Sequence, residues 1–445
     1  MVKIVCRILN HPFAKNLSNS SGANASGYAG AGTSVAVLDS GVLSSHEFLR
    51  GKVVDQACFS TTDRAEQSTS LCPGGASSSF VTGAGEPCPI EGCDHGTHVA
   101  GIVAGKQITR GGRTFSGVAP AAKIISVQVF SKYAASACGD GATGPCLSAY
   151  DSDLIRALDW LYTNRTRVSW GTLAAVNMSL GAGEYGTLNA CNADPTKMSI
   201  DRLRSVGVAT VIASGNDYLL TAIGSPACVS SAIAVGASTA ARTGTVDTPA
   251  IFSNRPRAAN NNPNAAGDRL LDLMAPGYFV WSSITTSTTS YGDNAGTSMA
   301  APHVAGAWAV LKGISPRASV TQVLGWLRST GKIIVDRRNS DPLSIPRINV
   351  AAAARKAAAE VRITPSATRT KTKTASRTKT KTATRTKTKT ATRTRTHSRT
   401  ATRSPTKSAT TTRTATHTAT HTVTSTAEPT AEPTVEPTVT VSVEP

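Results

Sequence analysis

The run Gly296-Thr297-Ser298-Met299-Ala300-Ala301-Pro302-His303-Val304-Ala305-Gly306 sets a hydroxyl between a glycine-led turn and an apolar, small-residue segment of helical character. Ser298 is thereby expected at a helix N-terminus, where outward-pointing N–H groups and the helix dipole favour negative charge. A serine in that position is suited to attack a carbonyl and to hold the oxyanion it creates. It needs a base and a group to orient that base. Asp94-His95-Gly96-Thr97-His98-Val99-Ala100-Gly101 reads as a small-residue helix packed closely on a sheet, with His95 in its first turn. His95 and His98 also have the separation of a metal pair, but no HExxH pattern or further carboxylate ligand accompanies them. Val35-Ala36-Val37-Leu38-Asp39-Ser40-Gly41 is an apolar strand ending in a carboxylate. Functional groups collect at strand ends in open α/β sheets, although an aspartate after a strand also serves as a cap or turn residue. Val208 to Asn216 is a fourth such segment, a buried strand ending in Ser214-Gly215-Asn216. An asparagine there suits either a left-handed turn or a side-chain amide presented to the site.

Asp39, His95 and Ser298 occur in the order Asp–His–Ser, the order described for subtilisin. Their contexts, DSGV, HGTHVAG and GTSMAAPHVAG, resemble those of the subtilisin-like serine proteases from about residue 30 to about residue 355, with the proteinase K-like branch the nearer. The resemblance implies a secreted serine endopeptidase. His95 would take the Ser298 proton, Asp39 would orient and stabilise the imidazolium, and Asn216 with the Ser298 N–H would bind the oxyanion. It implies substrate pairing along Ser179, Leu180 and Gly181, with Ala213, Ser214 and Gly215 as the opposite wall of the primary pocket. These small, neutral walls favour broad specificity with an apolar or small residue at the cleaved bond. Ser148-Ala149-Tyr150 would form a second edge. The chemistry needs no cofactor. Structural calcium is expected from the resemblance; Asp151, Asp153 and Asp272 are candidates without a ligand pattern, and capping or surface roles explain them as well.

The elements that must position these groups alternate. Apolar strands at Val35 to Leu38, Ile124 to Phe130, Ala174 to Met178, Val208 to Ala213 and Ile233 to Gly236 are interspersed with helical patterns such as Asp153 to Thr163 and Ala300 to Lys312. A mostly parallel central sheet flanked by helices follows, the three-layer α/β arrangement of the subtilisin-like fold. The last helix should begin near Ile348 and Asn349. The expected organisation is an N-terminal segment (1–30), a catalytic domain (31–360) and a low-complexity tail (361–445).

Nine cysteines lie mostly in short-spaced Gly- and Ser-rich loops without a zinc-site pattern. Disulfides are the expected use, paired Cys58–Cys72, Cys88–Cys93, Cys138–Cys146 and Cys191–Cys228 with Cys6 left over, and with them an extracellular location. Met1 to Phe13 lacks a secretory apolar core, and no transmembrane run occurs. An upstream signal and propeptide are expected from the resemblance, which makes a truncated chain start the simplest reading.

From about Thr364 the composition changes to Thr-Arg/Lys repeats and then to Ala-Glu-Pro-Thr repeats. Residues 365–445 carry a net charge of +11, out of +19 for the chain. Without an apolar face this tail is expected to be disordered. Its cations suit adhesion to an anionic surface or polymer, and its Thr and Pro suit a glycosylated stalk or plain linker. Sequons stand at Asn16, Asn19, Asn24, Asn164 and Asn177. The competing reading is an adhesion protein whose protease-like domain is only a scaffold. A scaffold would be expected to have lost a catalytic residue, and Asp39, His95, Asn216 and Ser298 are all present. Ester hydrolysis is a further possibility for the same triad. Polypeptides are the expected substrates, and a monomer the expected state.

Overall fold

The computed structural model describes residues 20–363, apart from 111, 140–141, 240–245 and 262–268. The tail repeats, Cys6, Asn16 and Asn19 lie outside the described residues.

The strand Thr33–Asp39 is buried along its whole length. Its side chains alternate between two cores: Val35 and Val37 face one, Ala36 and Leu38 the other. That period-two division is what a strand covered on both faces requires. It sits within a ten-stranded sheet, in the order Lys332–Asp336, Leu343–Arg347, Leu273–Pro276, Ile233–Ser238, Ala209–Ala213, Thr172–Met178, Thr33–Asp39, Lys123–Gln128, Val53–Phe59, Ser78–Ser79. The two edge strands are antiparallel to their neighbours, and every other pairing is parallel. The sequence pattern marks five of these strands and their parallel arrangement; Val53–Phe59, whose first four residues are only half-buried, and the strands Leu273–Pro276, Lys332–Asp336, Leu343–Arg347 and Ser78–Ser79 do not stand out in it.

After Thr33–Asp39 the chain builds one side of the sheet through Val53–Phe59 and Lys123–Gln128. It then crosses to the other side with Thr172–Met178. The strand order therefore reverses at Thr33–Asp39, and ligands of open α/β sheets bind beyond the carboxyl ends of the strands at such a point. Asp39 is the last residue of that strand.

Helix Thr297–Ile314 crosses one face, against the strands at its centre, with helices His95–Ala104 and Val350–Ile363 beside it. Helices Asp151–Asn164 and Lys197–Ser205 cover the other face. The last helix starts where expected, with the Asn349 side chain accepting the Ala352 N–H at 3.1 Å. It runs to Ile363, slightly beyond the boundary expected at 360. All four expected disulfides form, with Cα separations of 5.4–5.7 Å.

Candidate active site

His95 opens the helix His95–Ala104, and its Nδ1 lies 2.8 Å from Asp39 Oδ1. The approach depends on Gly96. A Cβ at Gly96 would stand 2.3 Å from the Gly41 carbonyl oxygen and 3.1 Å from the Asp39 Cβ. Ser40 adds a link that the sequence reading missed: its hydroxyl accepts the Gly96 N–H and donates to the Cys93 carbonyl, both at 3.1 Å. The strand end and helix start are thus held by backbone as well as by the two charged side chains. Asp39 is fully buried, whereas the His95 side chain is 29% exposed, so the imidazole faces outward from its anchor. Burial disfavours the imidazolium, but the Asp39 charge and hydrogen bond, with help from Asp94, outweigh it and raise the His95 pKa. His98, the other half of the apparent metal pair, is buried, and desolvation holds it neutral with a pKa of about 4.

Ser298 is the second residue of helix Thr297–Ile314, as the sequence pattern indicated. Its hydroxyl donates to the Ser179 carbonyl at 3.2 Å. The Ser179 hydroxyl in turn donates to the Ser298 carbonyl at 2.8 Å and accepts from Asn177 Nδ2 at 2.9 Å. Ser179 lines a cavity of about 1010 Å³ together with Asp39, His95, Leu180 and Gly181. The Asp39–His95 pair and the Ser298 helix start therefore adjoin one cavity.

Asn216 follows strand Ala209–Ala213 and is exposed. Its Oδ1 accepts both the Thr297 N–H at 2.8 Å and the Thr297 hydroxyl at 2.9 Å. The amide nitrogen is thereby turned the other way. A Cβ built on Gly296 would lie 3.4 Å from Asn216 Nδ2 and 3.5 Å from the Ser298 N. Both donors thus adjoin one point left open by a glycine.

The proposed walls are less evenly placed. Ser179, Leu180, Gly181, Ser148 and Ala149 line the cavity; Ala213, Ser214 and Gly215 do not. Ser214 is fully buried, and its hydroxyl donates to the Asn254 carbonyl. Gly215 gives its N–H to the Thr297 hydroxyl at 3.2 Å. That segment braces the Ser298 helix start instead of presenting side chains to this cavity. The calcium candidates do not make a site. Asp153 pairs with Arg156, Asp272 pairs with Arg328, and among the described residues no group of three or more His, Cys, Asp or Glu is placed to hold a metal.

The subtilase family model matches residues 30–431. The chain belongs to the subtilase family. Subtilisin DY of Bacillus licheniformis is 32% identical over 73% of the chain and 93% of its own length. An extracellular serine proteinase of Thermus sp. (strain Rt41A) is 32% identical over 66% of the chain and 54% of its own length. Among solved structures, a protease of Pseudoalteromonas arctica PAMC 21717 superposes with a TM-score of 0.57. It is 25% identical and covers 76% of this chain and 94% of that one. This subtilase is a serine endopeptidase acting on polypeptides. No described helix is long and apolar enough to cross a membrane.

Proposed function

We propose that hydrolysis runs through Asp39, His95 and Ser298. The hydroxyl leaves the Ser179 carbonyl and swings to His95. It attacks a peptide carbonyl as the imidazole takes its proton, and the Asp39 carboxylate steadies the imidazolium. The oxyanion is held between Asn216 Nδ2 and the Ser298 N–H, beside Gly296. His95 then protonates the leaving amine, and water repeats the sequence on the acyl-enzyme.

The observation that carries this reading is the 2.8 Å contact of His95 with Asp39 beside a cavity that also holds the partner of the Ser298 hydroxyl. Small neutral residues at Ser179, Gly181, Ala213 and Gly215 support broad specificity, with a small or apolar residue at the cleaved bond. Four disulfides support secretion of the protein. We place it as a monomer whose tail cations attach it to anionic polymers, an attachment that salt should weaken.

Labelling with a fluorophosphonate, followed by peptide mapping, tests the assignment. The adduct belongs on Ser298, and Ser298→Ala should remove both the adduct and casein hydrolysis with the fold retained. Casein hydrolysis undiminished in the purified variant would end this reading.

A further inference from the structure

The Cys88–Cys93 disulfide closes a loop of five positions that ends two residues before His95. So short a ring removes less freedom from the unfolded chain than Cys58–Cys72 or Cys191–Cys228, which close 14 and 37 positions. Its effect is concentrated where it lies, and both of its legs rest on the turn that follows Asp39.

The incoming leg is seated on that turn by backbone and side chains. Val42 donates its N–H to the Gly85 carbonyl at 2.8 Å, and the Ser126 hydroxyl donates to the same carbonyl at 2.7 Å. The Glu86 carboxylate accepts the Ser44 N–H at 3.2 Å, Gln56 Nε2 at 3.1 Å and the Ser44 hydroxyl. Gly41, at φ +99°, allows this approach: a Cβ there would stand 2.4 Å from the Glu86 carbonyl oxygen and 2.8 Å from Pro87 Cα. Cys88 comes next in the chain. The outgoing leg returns to the same turn. Cys93 is buried, and its carbonyl accepts the Ser40 hydroxyl, which in turn accepts the Gly96 N–H, both at 3.1 Å. His95 donates its N–H to the Gly92 carbonyl, inside the ring, at 3.2 Å. Between the legs Pro89, Glu91 and Gly92 are exposed, and Gly92 and Asp94 line the cavity. The cystine is thus the covalent link between a leg fixed by Gly85 and Glu86 and the leg that carries His95.

We infer that Cys88 and Cys93 are positioning residues for the hydrolytic reaction: their disulfide fixes the Cys93 carbonyl, and through Ser40 the start of helix His95–Ala104, so that the imidazole meets Asp39 in register. A misplacement of about 1 Å at a reacting group can cost on the order of 10²-fold in rate. A mostly exposed stretch such as Pro89 to Gly92 has little packing to hold the helix start to that tolerance, and the cross-link supplies the restraint. The titratable groups acting on His95 are Asp39 and Asp94, with the neutral His98 beside them. Loosening the helix start weakens the Asp39 contact before any other. The inference deepens the triad mechanism proposed above and rests on it.

The test compares the full chain with Cys88→Ser/Cys93→Ser, with Ser40→Ala, with all three substitutions together, and with Cys58→Ser/Cys72→Ser, neither of whose cysteines lines the cavity. Each protein is assayed on a minimal ester well below its own thermal midpoint. Loss of Cys88–Cys93 should lower kcat about tenfold or more and move the acid limb of kcat/KM to lower pH, because a looser Asp39 contact raises the His95 pKa less. Loss of Cys58–Cys72 should lower the thermal midpoint further and leave the limb in place. Ser40→Ala should move the limb in the same direction, and once Ser40 is gone, loss of the cystine should cost less in kcat than it does in the parent. Parental kcat and an unmoved limb in the folded cystine-free protein would overturn the inference, as would effects of Ser40 and the cystine that simply multiply. Should the cystine-free protein not fold, an unmoved limb in Ser40→Ala would overturn it alone. If Ser298 of the parent takes no fluorophosphonate and no peptide is cut, the triad mechanism itself fails. If the parent is labelled and the cystine-free protein is labelled at the same rate, only the inference about Cys88 and Cys93 fails.

Discussion

Ser179 and Ser298 hold each other twice: the Ser298 hydroxyl donates to the Ser179 carbonyl at 3.2 Å, and the Ser179 hydroxyl donates to the Ser298 carbonyl at 2.8 Å. The second bond exists because of Pro302. In helix Thr297–Ile314 the Ser298 carbonyl would ordinarily accept the N–H four residues on, and proline has none. Ser179 fills that vacancy and in doing so ties the end of strand Thr172–Met178 to the helix that carries the hydroxyl.

Ser179→Ala should leave the Ser298 carbonyl without its partner and cost roughly 1–3 kcal/mol, read as a lower midpoint of thermal unfolding. Adding Pro302→Ala restores the helical N–H and should recover part of the loss. A double variant no more stable than Ser179→Ala would show that the hydroxyl is not replacing the missing helical bond.

Asn216 is aimed by Thr297, which occupies its oxygen with two donors. Asn216→Ala should lower kcat by about 10²–10³ with little change in KM, as loss of the corresponding donor does in subtilisin. Thr297→Val keeps the backbone donor and removes the hydroxyl. Its kcat should fall by less, about tenfold, because the amide is loosened and not lost. A change confined to KM in both variants would place Asn216 in ground-state binding instead.

The acid limb of the pH profile should lie above the ordinary histidine value of 6.5. In the proposed mechanism only neutral His95 accepts the Ser298 proton, so activity should fall as the pH drops through its raised pKa. Asp94 contributes to that elevation without contacting the ring through an identified hydrogen bond. Asp94→Asn should therefore move the limb of kcat/KM to lower pH. An unmoved limb, or one displaced upward, would exclude the charge of Asp94 as a cause.

Asp39, His95, Asn216 and Ser298 each sit where an apolar element meets glycine or another small residue, a local pattern visible in the chain, but the roles proposed for them come from the resemblance of the surrounding motifs to the subtilases. Three of the disulfides join cysteines 5, 8 and 14 positions apart, but Cys191 and Cys228 stand 37 apart, and spacing alone does not fix such a pairing. What could not be read was produced by distant segments meeting. Pro302 removes the helical partner of the Ser298 carbonyl, and the replacement, the Ser179 hydroxyl, lies 119 positions away in the chain. Asp194 belongs to no motif, and its place in the cavity lining goes with a hydroxyl partner, Ser225, 31 positions further on. Ser214 resembled a pocket wall, but its hydroxyl turns inward to Asn254, a partner forty positions away.

The bond between Cys191 and Cys228 should matter to binding as well as to stability. It closes 37 positions of chain and fixes a loop whose Cys191 and Asp194 line the cavity. Replacing both cysteines by alanine should cost about 2–4 kcal/mol, seen as a lower midpoint in denaturant. KM for longer peptides should rise more than KM for a minimal ester substrate, because the released loop lies along the extended cavity. Equal rises for both substrates would mean that the bond stabilises the domain without shaping the cleft.

Gly96 sets how closely the imidazole approaches its carboxylate. The added methyl of Gly96→Ala meets the Gly41 carbonyl oxygen, a backbone atom, at 2.3 Å and the Asp39 side chain at 3.1 Å, and that side chain is itself held by His95. The helix start must move, which stretches the His95–Asp39 contact and the Ser40 link together. A destabilisation of about 1–3 kcal/mol is expected from overpacking. Activity should fall further than stability alone explains, because an imidazole out of register with Asp39 loses its orientation even in folded molecules. Comparing the labelling rate of Ser298 in folded protein with the thermal midpoint separates the two effects. A variant that unfolds earlier but labels at the parental rate would show that the Gly96 contact governs packing and leaves the alignment of His95 untouched.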